Sequence, residues 1–396
     1  MEEKEEMAID RSQAPFEKLD PETDTIPTLF WRRVPAWGNR TAMREKVFGI
    51  WRDVTWRQYG DKVRNVTMGL AALGLESGDR VAIASENNPA WLYADQGILS
   101  AGGLTAGIYP TDSASQVEYI TNHCAAKFFI AENEEQLDKI LEIRHSTPSV
   151  QKIIVIDMEG LRHFSDPSVI SFDELLDIGE EFDRNHEGRL ERLRQVPRPE
   201  DPAILIYTSG TTGPPKAAML SHKNILHAVD SLFQVMAAFP TDEVLTFLPL
   251  CHVAERVLSG FGPLYAGYTI NFAEELDTIP ENLREVSPTI FLAVPRFWEK
   301  FYSALVLRIK DSTALERLAF RWATSIGGKV SDYRLRAQEP PLAWKALFTI
   351  ANWTVLKNVK KFIGLDRARW CLSGAAPISP DLLKFFHSLG VNVREV

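Results

Sequence analysis

Between Asp201 and Leu226 the chain reads DPAILIYTSGTTGPPKAAMLSHKNIL, and the middle of that stretch gathers residue types that bind anions. An apolar run from Ala203 to Tyr207 gives way to Thr208, Ser209, Gly210, Thr211, Thr212 and Gly213, followed by Pro214, Pro215 and Lys216. Gly210 and Gly213 accept positive φ and let the backbone approach a ligand closely. Successive backbone N–H groups in such a loop make a concavity for oxyanions, and four hydroxyls and one ammonium add further donors. A polyphosphate suits this set. An ordinary exposed turn uses the same residue types, but the closing lysine and the apolar runs on both sides favour a binding loop. A Walker-type loop fails on spacing. It requires Gly-Lys-Ser/Thr in direct succession, whereas Pro214 and Pro215 separate Gly213 from Lys216, and Ala217 follows.

The loop must be held by the two apolar runs beside it, Ala203–Tyr207 and Ala217–Leu220, which read as strands. Ser221 is placed to cap the helix that follows, because its hydroxyl can accept a first-turn N–H. Upstream, Phe48 to Trp56 reads as paired short strands and Gln58 to Leu73 as an amphipathic helix ended by Gly74. Asn88 and Pro89 form a cap and first helical residue, which predicts a helix over Ala90–Ser100. Strands are expected at Arg80–Ala84, up to Gly107–Thr111, Lys127–Ala131 and Lys152–Asp157, with helices at Ser115–Asn122 and Glu134–Arg144 between them. Alternation of this kind implies a parallel sheet with helices on its faces. The charged stretch Asp183–Glu200 reads as a linker. Beyond it, strands are expected at Val244–Leu248, Thr269–Phe272, Thr289–Ala293, Trp370–Ser373 and Val391–Glu395. The fold class is therefore α/β: a polar tail over 1–24, a first α/β subdomain over 25–200, and a second over 201–396.

YTSGTTGPPKAAMLSH resembles the phosphate-loop signature of the AMP-forming, adenylate-forming superfamily, which includes acyl-CoA synthetases, luciferases and peptide-synthetase adenylation domains. Further segments narrow the resemblance to long-chain and bubblegum-type fatty acid–CoA ligases: VPRFWEK from Val294, for which a strand end followed by a helix start is the simpler expectation, and, as fold elements, GIYPT over Gly107–Thr111 and EN-x-PAW over Glu86–Trp91. The resemblance covers most of residues 25–396 and implies two packed subdomains with largely parallel sheets. It also implies ATP, Mg2+ and CoA as ligands and a fatty acid as substrate. Thr208 to Gly213 would wrap the β- and γ-phosphates, Lys216 would anchor the loop or its ligand, and the Thr211 hydroxyl would meet the magnesium ion. LPLCHVAER over Leu248–Arg256 resembles the next motif of the family, which places His252 beside the reacting carboxylate. Outside that motif a lone histidine there would be a plain polar cap. Some members have an aromatic gate near the position of Arg256; the simpler expectation for this arginine is a helix-surface ion pair with Glu255 or Glu274. LSGAAP over Leu372–Pro377 resembles the adenine loop, giving Ser373, Gly374, Ala375, Ala376 and Pro377 to the nucleotide. Small residues there let a flat base lie against backbone. The family's Tyr-Gly-x-Thr-Glu motif, its ribose aspartate and its mobile C-terminal lid fall beyond Val396, so the expectation is an incomplete second half without a lid. A binding protein that keeps ATP or acyl ligand without turnover, and an adenylating enzyme for another carboxylic acid, are the alternatives.

Composition sets the wider limits. The 396 residues exceed a single ordinary core, and 45% hydrophobic with 24% charged residues is the composition of a soluble globular protein. A net charge of −9 argues against a general nucleic-acid binder. Cys124, Cys251 and Cys371 are odd in number and widely spaced, the pattern of reduced thiols in a cytoplasmic setting. Residues 296–370 stand apart, with 15 Lys/Arg against six Asp/Glu and five of the ten tryptophans. Lys345–Lys361 within them reads as an amphipathic helix with basic ends. Peripheral contact with the inner face of a membrane is one reading; a core-packed helix with a solvated basic face is the simpler expectation.

Overall fold

The computed structural model describes residues 19–208 and 214–396. Fourteen strands are assigned among them: β1 (Thr41–Val47), β2 (Ile50–Thr55), β3 (Arg80–Ala84), β4 (Leu104–Ile108), β5 (Phe128–Ala131), β6 (Lys152–Val155), β7 (Val169–Ser171), β8 (Pro202–Thr208), β9 (Lys216–Ser221), β10 (Glu243–Thr246), β11 (Thr269–Phe272), β12 (Ile290–Ala293), β13 (Trp370–Ser373) and β14 (Val393–Glu395). They form two seven-stranded sheets, in the orders β7-β6-β5-β3-β4-β8-β9 and β14-β13-β12-β10-β11-β1-β2. Every neighbouring pair is parallel except β8/β9 and β1/β2. The central strands read as unbroken apolar runs because both of their faces are covered. In β5 all four residues, FFIA, are buried, and Val81 to Ala84 of β3 are buried as well.

Local signals set most element ends where the sequence places them. Asn88 caps the helix Pro89–Ser100 by accepting the Trp91 amide, and Ser221 caps His222–Val235 by accepting that of Asn224. Gly74 has φ +93° just past the helix Trp56–Ala72. The first hairpin sits differently from expectation. Phe48 and Gly49, at φ +50° and +75°, form its turn, so β1 lies before Phe48 and not after it. Two successive positive-φ residues match the twist of the flanking strands.

Residue 200 does not divide the sheets. β8 and β9 complete the first sheet, and β1 and β2 complete the second. The expected linker is instead the end of the helix Phe172–Asn185 and a short helix, Arg189–Leu193, whose Leu190 and Leu193 are buried in the main core. A charged sequence conceals this, because two apolar side chains suffice to dock a one-turn helix. Residues 1–18 of the expected polar tail lie outside the described residues; of the remainder, Leu19 is buried in the core and Asp24 pairs with Arg32. The main core joins the halves, with Phe30, Trp56, Val81 and Trp91 packed in one cluster with Val244, Ile270 and Phe272.

Candidate active site

In open parallel sheets, ligands sit outside the carboxyl ends of the strands. Here those ends of the two sheets meet. Asn87, just past β3, donates from Nδ2 to the Leu248 carbonyl at 2.6 Å and accepts the Leu250 amide on Oδ1 at 2.9 Å. Gly107 of β4 lies flush against Cys251, where a Cβ would stand 2.7 Å from the cysteine Cβ and 2.8 Å from its Cα. The segments EN-x-PAW and GIYPT therefore brace LPLCH from across the molecule.

His252 caps the helical turn Val253–Glu255, its Nδ1 accepting the Ala254 amide at 3.2 Å. The ring is half-buried, and burial lowers its pKa below the ordinary 6.5. It is therefore neutral at pH 7. With Nδ1 accepting, the proton resides on Nε2, which leaves a hydrogen-bond donor beside the LPLC turn.

The helical path then runs through a π turn, Arg256–Phe261, a form that is rare and concentrated at functional sites. Arg256 is not on the surface. It is fully buried and paired with Asp95 of the helix Pro89–Ser100, also fully buried, with neither Glu255 nor Glu274 as partner. Arg256 Nε donates to Asp95 Oδ2 at 3.2 Å and Nη2 to Oδ1, while Thr105 donates to Oδ1 at 2.7 Å. The guanidinium also stands 4.9 Å from the centroid of the Trp91 ring. Asp95 is visible in the sequence as an acidic break in an apolar helix, which signals a buried partner without naming it. Glu255 is buried too. Ser259 donates to its Oε1 at 2.5 Å, the Leu248 amide donates to it, and desolvation pushes its carboxyl up to about 8.

On the first sheet, Ser209, Gly210, Thr211, Thr212 and Gly213 lie outside the described residues. Thr208 closes β8, Lys216 opens β9 directly opposite it, and both are exposed. The hairpin is steadied by the helix Ala114–His123: Tyr119 donates its phenol to the Pro215 carbonyl at 2.9 Å, and His123 Nδ1 meets Tyr207 Oη at 2.9 Å. Neither residue announces that role in the sequence.

Beyond β13, Ser373 is fully buried and its hydroxyl has no partner among the described residues. Gly374 is half-buried, and Ala375, Ala376 and Pro377 are exposed. Ala375 adopts φ +69°, which costs a non-glycine residue of the order of 1 kcal/mol and clusters at ligand sites. A buried hydroxyl without a partner and a strained loop of small residues fit a bound base. Among the described residues no group of three or more His, Cys, Asp or Glu is arranged to hold a metal ion.

The AMP-binding enzyme family matches residues 30–396. The chain belongs to that family. Similar proteins include the long-chain-fatty-acid–CoA ligase ACSBG2 of Gallus gallus, 36% identical over 381 residues, covering 94% of this chain and 49% of that protein. The ACSBG2 ligase of Homo sapiens is 32% identical over 379 residues, covering 94% and 55%. The chain thus spans about half the length of the relatives it matches. Among solved structures, the A-PCP didomain of the carboxylic acid reductase from Segniliparus rugosus, in complex with AMP, superposes with a TM-score of 0.68 at 20% identity, over 99% of this chain and 56% of that one. The anthranilate CoA ligase AuaEII, in complex with anthranoyl-AMP, gives 0.66 at 20% identity, over 94% and 60%. These likenesses bear out the α/β fold with two mostly parallel sheets.

Proposed function

We propose that this chain is the ATP- and acid-binding part of an AMP-forming long-chain fatty acid–CoA ligase. The convergence of the LPLCH turn with the carboxyl edges of both sheets carries the reading. The ACSBG2 ligases support the long-chain assignment. In this reading a fatty carboxylate attacks the α-phosphate of ATP, releasing pyrophosphate, and the acyl-adenylate passes its acyl group to CoA. Two anions must meet, so the protein's task is positioning and charge neutralisation.

Lys216 and the run Thr208, Ser209, Gly210, Thr211, Thr212 and Gly213 are offered for the phosphates. Ser373 to Pro377 are offered for the adenine, and neutral His252 for donating from Nε2 to the acid. Magnesium on the phosphates would neutralise their charge when bound, with Thr211 as its contact. A cytoplasmic setting and peripheral membrane contact through residues 296–370 complete the reading.

Fatty-acid-dependent exchange of pyrophosphate into ATP tests it, with palmitate, a medium-chain acid and benzoate. Exchange with palmitate that is lost in Thr211→Ala and His252→Ala is the expected result. Exchange with benzoate alone would replace the long-chain assignment by an aryl acid. Nucleotide binding by the folded protein, with no exchange for any acid, would leave a binding protein without turnover.

A further inference from the structure

The helix Leu342–Ala351, the π turn Asn352–Leu356 and the helix Lys357–Phe362 follow one another without a break. One side holds this path to the protein. Ala351 and Leu356 are fully buried, and Phe348, Val355 and Val359 pack on a second core, a cluster separate from the main one that contains Leu283, Phe291, Trp298 and Phe386. The other side is also apolar. Leu342, Ala346 and Ile350 recur at a spacing of four, with Trp353 three residues further on, and all are exposed. Leu342 is 84% exposed and Trp353 78% exposed. A surface helix ordinarily turns its charged face to water; this one turns out leucine, isoleucine and tryptophan. The core-packed helix expected from the sequence is therefore only half of the arrangement.

Charge says what covers the stripe. Arg336 before it and Lys357 and Lys361 after it are exposed. Residues 296–370 hold 15 Lys/Arg against six Asp/Glu, whereas the rest of the chain holds 29 against 47. Positive charge is segregated onto the segment that bears the apolar stripe. A second copy of the chain, docked by a two-fold contact, would set lysine against lysine. An anionic lipid surface answers both features, because tryptophan and leucine enter the headgroup–acyl boundary while lysines meet phosphates.

We propose that this face lies on an anionic phospholipid membrane, with Leu342, Ile350 and Trp353 immersed and Lys357 and Lys361 at the lipid phosphates. The contact is interfacial: no helix among the described residues is long and apolar enough to cross a membrane. The proposal rests on the membrane part of the reading above and is independent of which acid is activated.

Sedimentation of the purified protein with vesicles tests it, comparing phosphatidylcholine alone with phosphatidylcholine containing roughly 30 mol% phosphatidylserine. The variants are Leu342→Ser/Trp353→Ser and Lys357→Glu/Lys361→Glu, all at exposed positions, with folding checked by circular dichroism. Binding to the serine-lipid vesicles is expected to fall about tenfold or more in each variant. It is also expected to fall in about 1 M salt, where the screening length is about 3 Å. Absence of wild-type binding, or unchanged binding by the folded serine variant, would overturn the proposal. So would a dimer that the serine variant dissociates without any effect on vesicles. Pyrophosphate exchange with a water-soluble medium-chain acid, run on the same samples, is expected to be unchanged. Its failure alongside intact vesicle binding would count against the ligase reading only.

Discussion

Glu255 offers a quantitative test of how the LPLCH turn is built. Its carboxyl is 1% exposed, accepts from Ser259 and the Leu248 amide, and is pushed by desolvation from 4.5 up to about 8. A carboxyl raised on folding binds its proton more tightly in the folded protein than in the unfolded chain. The contribution of this group to stability is therefore fullest below pH 4.5, falls as pH rises towards 8, and is level beyond that. The slope between those limits is about 1.4 kcal/mol per pH unit, which makes the loss from pH 5 to pH 7 on the order of 2–3 kcal/mol. Glu255→Gln keeps an acceptor for Ser259 and cannot ionise. The free energy of urea unfolding, followed by near-ultraviolet circular dichroism from pH 5 to pH 8, is expected to shift in favour of the glutamine variant. The relative gain between pH 5 and pH 7 should be on the order of 2–3 kcal/mol. A difference between the two proteins that stays constant across this range would refute the reasoning, because it would mean that the carboxyl titrates alike in both states.

Removing either member of the buried Arg256–Asp95 pair strands the other's charge, so Arg256→Met and Asp95→Leu should each cost about 3–5 kcal/mol. The double variant should cost much less than their sum, and additive losses in a double-mutant cycle of unfolding free energies would dismiss the pairing as an energetic unit. Ser373→Ala should change stability by less than about 1 kcal/mol, since its hydroxyl has no partner among the described residues, but should raise the KM for ATP in pyrophosphate exchange about fivefold. An unchanged KM would remove Ser373 from the nucleotide site.

Much of the fold was legible because its signals are local. Apolar runs bounded by glycine, proline and asparagine marked the central strands, and Asn88, Gly74 and Ser221 marked helix ends by chemistry confined to a few residues. The first hairpin was displaced because Phe48, an unusual residue for positive φ, takes the turn with Gly49. Arg256 was misplaced for a different reason. Its partner lies 161 residues away, and only the meeting of two helices discloses it. The boundary at residue 200 failed likewise, since membership of a sheet is fixed by hydrogen bonds between distant strands and not by the charge of the segment joining them.

By itself the sequence determined the chemistry on offer: the loop Thr208–Lys216, the histidine of LPLCH, the small residues after Ser373, and the family to which these belong. Those are properties of residue type and spacing, which the chain carries whether folded or not. Tertiary structure alone decided what holds the candidate site. It set Asn87 and Gly107 of one sheet against Leu248–Cys251 of the other, Asp95 beneath Arg256, and Tyr119 against Pro215. It also decided which side of the helix beginning at Leu342 faces water, because both sides are apolar and only packing against the second core distinguishes them.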